Sequence, residues 1–156
     1  MSSEWYCEVN VVASVVQYLK QESWTIESVA DTENRERGAD IRARRGGELL
    51  IVEAKGYPLK VYARGENKGQ PKPTKPGVQA RHWYSQVLFD AILRQSEYPS
   101  ASVTIALPSF PVFTNLIDRT HQALRRLNIG VYLVHESGLI KLVNLTDSIQ
   151  PSVRPS

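Results

Sequence analysis

The sequence predicts an α/β domain in which helices cover a central mixed β-sheet. Three segments carry apolar residues at helical spacing, and short apolar runs bounded by glycine, proline and polar residues lie between them. Two of these runs are joined by a glycine pair, which is typical of an antiparallel hairpin. A later run follows a helix, which is typical of a parallel strand reached through a helical crossover. We therefore expect an antiparallel meander followed by a crossover strand.

Each element follows from a local pattern. The first helix is expected to have a serine cap, and its apolar residues recur every three or four positions. Strands are predicted where runs are rich in β-branched residues and end in turn residues. In order, the predicted elements are a helix from residue 2 or 3 to about 21, strands 24–29, 39–44 and 48–55, a helix 78–95, a strand 103–107, a helix 111–127, and strands 129–135 and 139–145.

The remaining segments predict one domain with a long loop and a tail. Residues 57–77 have no periodicity and several prolines, so we expect a loop outside the core. Residues 1–145 have the length of one ordinary domain. Residues 146–156 hold two prolines and little apolar material, which predicts a disordered tail.

Composition limits the classes of function. The chain has 156 residues and a formal net charge of +3, a mild basic excess that suits a polyanionic partner. Its one cysteine excludes an intramolecular disulfide and a cysteine-based zinc site. With no signal-like or membrane-length apolar run, we expect a cytoplasmic protein without a membrane partner.

Two charged residues end the strand 48–55. Side chains alternate along a strand, so Glu53 and Lys55 share one face with Leu49 and Ile51, and the opposite face is also apolar. A strand that is apolar on both faces is normally central, and an unpaired charge there is costly. This end is therefore expected to be a cleft or a paired site; the alternative is an ordinary ion pair at the edge of the sheet.

The glycine turn predicts which residue faces Glu53. If the hairpin turns on Gly46 and Gly47, Arg45 faces Glu48 and Asp40 lies opposite Glu53. Opposed residues have Cβ atoms about 4.5 to 5.5 Å apart, and two like charges at that distance are destabilising. A divalent cation such as Mg²⁺, which prefers carboxylate oxygens, would remove the repulsion. Lys55 would then orient a water molecule or offset charge on a scissile phosphate.

Glu8 is a further candidate. Its position continues the apolar stripe of Val12, Val15 and Leu19, so its carboxylate is expected to face the sheet. The alternative is that Glu8 lies at the edge of the stripe, where the helix dipole favours an acid in the first turn.

These residues resemble the motif of the PD-(D/E)xK, or restriction-endonuclease-like, nuclease superfamily. Gly38-Ala39-Asp40 stands at the first half of the motif and Glu53-Ala54-Lys55 at the second, after a helix with Glu8 and before a long helix. The resemblance covers about residues 8–107. It implies an αβββαβ core with an extra C-terminal helix and strands, and Mg²⁺-dependent cleavage of DNA or, less often, RNA.

The resemblance also implies roles for individual residues. Asp40 and Glu53 would be metal ligands, with the Ala54 carbonyl as a further ligand, Lys55 the catalytic lysine and Glu8 an accessory acid. Ala39 replaces the proline of the motif name. Some members carry Gln-x-x-x-Tyr on the next helix, whereas Tyr84 here is one residue too far from Gln79. Gln79 and Arg81 are therefore candidates for substrate contact only.

The long loop supplies candidate contacts for a nucleic acid. Its basic residues directly follow the strand with Glu53 and Lys55, although such residues are often merely solvated. They are Lys60, Arg64, Lys68, Lys72 and Lys75. We expect an endonuclease-type hydrolase of DNA that uses Mg²⁺, with Mn²⁺ as a substitute. The alternatives are a non-cleaving nucleic-acid-binding or assembly module, or a nuclease subunit that needs a dimer mate or a larger partner.

Overall fold

A six-stranded mixed sheet forms the centre of the fold, with helices on both faces. The computed structural model describes residues 4–30, 38–62 and 65–143. The predicted α/β class is confirmed. The elements are α1 (Glu8–Gln21), β1 (Thr25–Val29), β2 (Ile41–Arg45), β3 (Glu48–Ala54), α2 (Pro76–Glu97), β4 (Ser102–Pro108), α3 (Pro111–Leu127), β5 (Ile129–Val134) and β6 (Ile140–Val143).

The strands lie in the sheet in the order in which they occur along the chain. β1, β2 and β3 form an antiparallel meander, β4 and β5 add in parallel to β3, and β6 returns antiparallel to β5. Because α2 connects β3 to β4 and α3 connects β4 to β5, the carboxyl ends of these three strands meet at one edge of the sheet. The predicted meander with a helical crossover is confirmed.

Strand β3 is buried on both faces, as its apolar pattern predicts. Ile51 packs into a core beneath α2 and α3, whereas Leu50, Val52 and Ala54 pack into a second core beneath α1. The sheet therefore separates two apolar layers. Glu53, the charged residue next to the end of β3, is buried as well.

The start of α1 differs from the prediction. The helix begins at Glu8 with Cys7 at its N-cap position, not near residue 2 or 3 behind a serine. Residues 4–7 form a turn, and the rings of Trp5 and Tyr6 lie 5.4 and 5.3 Å from the ring of Phe110. The packing of these rings keeps residues 4–7 from continuing the helix. The helical spacing of apolar residues in the sequence does not reveal this packing.

The segment 57–77 also differs from the prediction where it begins. Tyr57 stacks on Phe110 with ring centroids 4.0 Å apart, and Pro58 is buried. The expectation that this whole loop lies outside the core is therefore wrong at its first two residues. The reason is that Phe110, which follows β4, offers an aromatic surface that local sequence does not reveal.

Several predictions fall outside the described residues. Arg64, most of the loop 31–38 and the tail 146–156 lie there, so the disordered tail remains a prediction.

Helix α2 is longer than predicted at both ends, with Pro76 in its first turn, where a missing N–H costs nothing. Within the described part of the chain, no helix is both long and apolar enough to cross a membrane.

Candidate functional site

Asp40 and Glu53 lie side by side where β2 begins and β3 ends. The register pairs Ile41 with Val52, and one further step brings Asp40 opposite Glu53, as the glycine turn predicts. The Asp40 N–H donates to Oε2 of Glu53 at 3.3 Å, and the Ala54 N–H donates to Oδ2 of Asp40 at 2.7 Å. Each carboxylate is thus held by the backbone of the opposite strand.

The hairpin and the neighbouring strand fix the backbone of this pair. Gly46 adopts a φ of 60°, which glycine reaches without strain and which closes the turn between β2 and β3. On the other side, the Asp40 carbonyl accepts a 2.9 Å hydrogen bond from the Ala30 N–H. Asp40 is therefore anchored from both of its neighbours in the sheet.

The two carboxyl groups resist ionisation. Glu53 is only 4% exposed, and this burial, followed by the negative charge of Asp40, raises its pKa to about 7, although Arg94 acts in the opposite direction. Burial also raises the pKa of Asp40, against the lowering effects of the Ala54 N–H and of Lys55. Neighbouring acids with raised pKa values are found often at functional sites.

Arg94, on the last turns of α2, is the basic partner of Glu53. Its Nε lies 3.3 Å from Oε2 of Glu53, and its Nη1 lies 2.7 Å from Oε1 of Glu97. The side chains of Arg94 and Glu53 are only 19% and 5% exposed, so solvent screens this ion pair weakly. The guanidinium thus offsets the charge of the acidic pair.

Lys55 joins the same end of the sheet to α1 and α2. Its Nζ lies 3.9 Å from Oε1 of Glu8 and 6.0 Å from the centre of the Trp83 ring. Burial raises the pKa of Glu8, the charge of Lys55 lowers it, and the charge of Asp40 raises it. The structure therefore brings Glu8, Asp40, Glu53 and Lys55 into one electrostatic cluster. The Glu8 carboxylate reaches the lysine that follows β3, and its role as an accessory acid stays a prediction.

Gly56 permits the close approach of α1 to this cluster. A Cβ atom at this position would lie 2.5 Å from the backbone nitrogen of Glu8 and 2.6 Å from the Tyr6 carbonyl oxygen. The Tyr57 N–H donates to that same carbonyl at 2.9 Å. Glu8 reaches Lys55 because the residue that follows the lysine has no side chain.

Sequence reasoning missed the contribution of α2. Trp83, Asp90 and Arg94 are spaced seven and four residues apart, so they share one side of the helix, next to the buried stripe. Asp90 is near enough that its charge raises the pKa of Asp40. Polar residues flanking an apolar stripe at helical spacing are the signal in the sequence that points to this face.

The donor set of the acidic pair fits Mg²⁺. Proteins usually supply this ion with one or two carboxylates, while water and substrate phosphate complete its shell. Within residues 4–30, 38–62 and 65–143, no group of three or more His, Cys, Asp or Glu side chains is arranged to hold a metal ion. The two carboxylates match that usual protein share in residue type, and metal contacts of Asp40, Glu53, Glu8 and the Ala54 carbonyl all remain predictions.

Among the described residues, the lysines predicted to contact nucleic acid form no ion pair with this cluster. Lys60, Lys68 and Lys75 are exposed, and Lys72 is half-buried with its Nζ 6.0 Å from the centre of the Tyr62 ring.

The two candidates on α2 have different surroundings. Arg81 is exposed. Gln79 lies one turn before Trp83, and its Oε1 is buried with no hydrogen-bond partner among the described residues. Of the two, Gln79 lies on the side of α2 that carries Trp83 and Arg94.

Comparisons with known proteins bear on the fold. No protein-family model and no curated protein matches the chain. Among solved structures, the chain is similar to the crystal structure of an fdxN element excision controlling factor protein from Anabaena variabilis. The TM-score is 0.51 and the sequence identity is 16%, with 86% of this chain and 99% of that chain covered. At this identity, the likeness shows a shared fold and leaves activity to other evidence.

Proposed function

We propose that this protein is a Mg²⁺-dependent nuclease that hydrolyses phosphodiester bonds of DNA, with a restriction-endonuclease-like fold and a PD-(D/E)xK-type site. One observation carries the proposal: Asp40 and Glu53 are fixed face to face by reciprocal hydrogen bonds from the backbone, and Lys55 directly follows the strand that carries Glu53. A buried pair of like charges is costly unless a function or a ligand compensates for it.

The chain's own residues have separable roles in this proposal. Asp40 and Glu53 hold the cation, which when bound polarises a phosphate oxygen and lowers the pKa of water. Lys55 places an ammonium beside the acids, where it orients the attacking water or offsets negative charge that develops on the phosphate. Glu8, 3.9 Å from the Lys55 Nζ, positions that ammonium.

The proposed substrate is a nucleic acid, most simply DNA. The exposed lysines of the segment 57–77 follow Lys55 along the chain, and their positive charge suits a phosphate backbone. RNA would satisfy the same contacts. The proposal extends to a homodimer or a larger protein partner that would supply sequence recognition.

One observation favours a second candidate, a module of the same fold that binds nucleic acid or assembles with a partner without cleaving. Glu53 already has a cationic partner in Arg94 at 3.3 Å, and an acid paired in this way does not need a metal ion. The structural neighbour is described as a factor that controls an excision. Such a factor need not cut, although at 16% identity the neighbour supports the fold alone.

Cleavage assays on matched variants separate the two candidates. The parent, Glu53→Gln and Lys55→Met would be incubated with plasmid and single-stranded DNA in Mg²⁺ and in Mn²⁺. Glu48→Gln is the control, because Glu48 lies on the same strand but is exposed at its opposite end. Unfolding curves would be recorded alongside, since the loss of one buried charge can itself unfold a domain.

We expect the parent and Glu48→Gln to cleave, and Glu53→Gln and Lys55→Met to lose at least about two orders of magnitude in rate, as is typical when a group that stabilises charge in the transition state is removed. A folded parent that binds metal but cleaves no DNA or RNA substrate would refute the nuclease proposal in favour of the non-cleaving module.

A further inference from the structure

The ion pair between Arg94 and Glu53 occupies one of the two carboxylate oxygens that Glu53 could offer to a cation. Oε2 of Glu53 accepts from the Nε of Arg94 at 3.3 Å and from the Asp40 N–H at 3.3 Å. Among the described residues, Arg94 is the only basic side chain within ion-pair distance of Glu53, since Lys55 is paired with Glu8. The acidic pair thus carries its own internal counter-ion.

A divalent cation and this guanidinium would repel each other if both bound the same carboxylate. Both are positive and both bind the oxygen lone pairs, and at 5% exposure of the Glu53 side chain little water is present to screen their repulsion. Binding of the cation to the Asp40–Glu53 pair therefore favours a loss of the Arg94 contact.

Arg94 has a second anchor that does not involve the acidic pair. Its Nη1 lies 2.7 Å from Oε1 of Glu97, three residues further along α2, and the Glu97 side chain is 51% exposed. If the contact with Glu53 were lost, the guanidinium would keep an acidic partner on its own helix. The arginine can thus leave Glu53 without becoming an isolated buried charge.

We propose that Arg94 is a positioning residue that exchanges with the divalent cation at Glu53. This inference rests on the proposed metal site. In the metal-free protein the guanidinium neutralises Glu53; when the cation binds, Arg94 is released towards Glu97. Its free donors then face the site as a binding group for an anion, such as a phosphate oxygen of the substrate.

Two consequences follow for binding. Arg94 lowers the affinity of the site for metal, because the cation must break a charged hydrogen bond before it binds. It also couples the two ligands, since the donors that would hold a phosphate become available only when the metal is present.

Titration calorimetry with Mn²⁺ on the parent and on Arg94→Met tests the exchange. Arg119→Met is the control, because it removes one positive charge from an exposed site on α3. A hydrogen bond to a charged group is worth about 1.5 to 3 kcal/mol, so Arg94→Met should bind Mn²⁺ at least about tenfold more tightly. The control should bind like the parent.

A second measurement on the parent covers the case in which Arg94→Met does not fold. In ¹⁵N-labelled protein, the Nε–H resonance of Arg94, assigned from the spectrum of Arg94→Lys, should move on titration with Mg²⁺. That of Arg119 should not. A purely structural arginine would keep its contact and its resonance.

The outcomes distinguish the exchange from the metal site itself. A folded Arg94→Met that binds Mn²⁺ no more tightly than a metal-binding parent, or an Arg94 resonance that stays fixed as Mg²⁺ binds, would overturn the exchange and leave the nuclease proposal standing. Tight binding by Arg94→Met alone would support the exchange. If neither protein binds Mn²⁺, both inferences fail.

Discussion

The backbone N–H of Ala54 donates a 2.7 Å hydrogen bond to Oδ2 of Asp40, so the first acid of the site is oriented by the strand that carries the second. The Asp40 N–H donates in turn to Oε2 of Glu53. Donors fixed in the sheet reduce the rotamer freedom that two carboxylates would otherwise lose on binding a cation. The site is therefore preorganised for a cation. Substituting one acid at a time measures what each acid contributes to metal binding.

Asp40→Asn should weaken metal binding, while the shape of the side chain at position 40 changes little. The asparagine oxygen can still accept from the Ala54 N–H, but one negative charge is lost from the donor set. We expect the affinity for Mn²⁺ to fall by roughly tenfold or more in calorimetry, since even partners outside the ligand shell change affinity by that factor. Asp118→Asn, at an exposed position on α3, should bind like the parent. Equal binding by Asp40→Asn and the parent would rule out Asp40 as a ligand.

The metal-free protein should lose stability as pH rises from about 4.5 to about 7. The pKa of Glu53 is raised from 4.5 to about 7, so in this range the folded protein keeps a proton that the unfolded chain has released. Each pKa unit corresponds to about 1.4 kcal/mol, so the loss is up to about 3 kcal/mol. The raised pKa values of Asp40 and Glu8 act in the same direction.

Urea unfolding in the presence of a chelator measures this effect. In Glu53→Gln the group does not titrate, so the free energy of unfolding should depend less on pH across the same range. If the free energy of unfolding of Glu53→Gln and of the parent changed with pH in parallel, the pKa of Glu53 would not be raised in the folded protein, and this prediction would be wrong.

Gly56→Ala should destabilise the fold, whereas Gly47→Ala should not. A Cβ at Gly56 would meet backbone atoms of Glu8 and Tyr6 at 2.5 and 2.6 Å, and backbone cannot yield as the end of a side chain can. We expect a cost of about 1 to 3 kcal/mol, as for other forced contacts in a packed interior. Gly47 has open space around it, so its substitution should cost less than about 0.5 kcal/mol. Equal unfolding midpoints in urea would show that α1 does not depend on this close approach.

Neutralising the basic loop should weaken the salt dependence of DNA binding. The change is simultaneous substitution of its basic residues by glutamine, at Lys60, Arg64, Lys68, Lys72 and Lys75. Each phosphate contact that is lost should reduce the slope of log affinity against log salt by about 0.9 for duplex DNA. Fluorescence anisotropy with a chelator present measures binding without cleavage. The control replaces Arg125 and Arg126 at the far end of α3, and a slope that matches this control would mean the loop does not contact phosphate.

The pairing of Asp40 with Glu53 could be predicted because local rules govern it. A two-residue glycine turn fixes the register, and the register alone decides which residue faces Glu53. The doubly apolar pattern of β3 also predicted burial on both faces, which is what raises the pKa of Glu53. Where adjacent strands and a tight turn determine the contact, the sequence is sufficient.

The contacts of Arg94 and Gly56 could not be predicted in the same way. Arg94 is 41 residues from Glu53 along the chain, and only the packing of α2 on the sheet brings them together. Gly56 has its role because α1 crosses the end of β3, and no local pattern encodes that distance. The start of α1 at Glu8, later than predicted, likewise depends on rings packed around Phe110. Such contacts are set by tertiary packing.

The most direct test of the central claim is the anomalous scattering of Mn²⁺ in a crystal of the parent protein soaked in that ion. The account predicts a peak bounded by a carboxylate oxygen of Asp40 and one of Glu53, with oxygen distances of about 2.0 to 2.6 Å as for hard cations, and a guanidinium of Arg94 that has moved away from Glu53. A fully soaked crystal with no peak at this pair, and with Arg94 still in contact with Glu53, would contradict it.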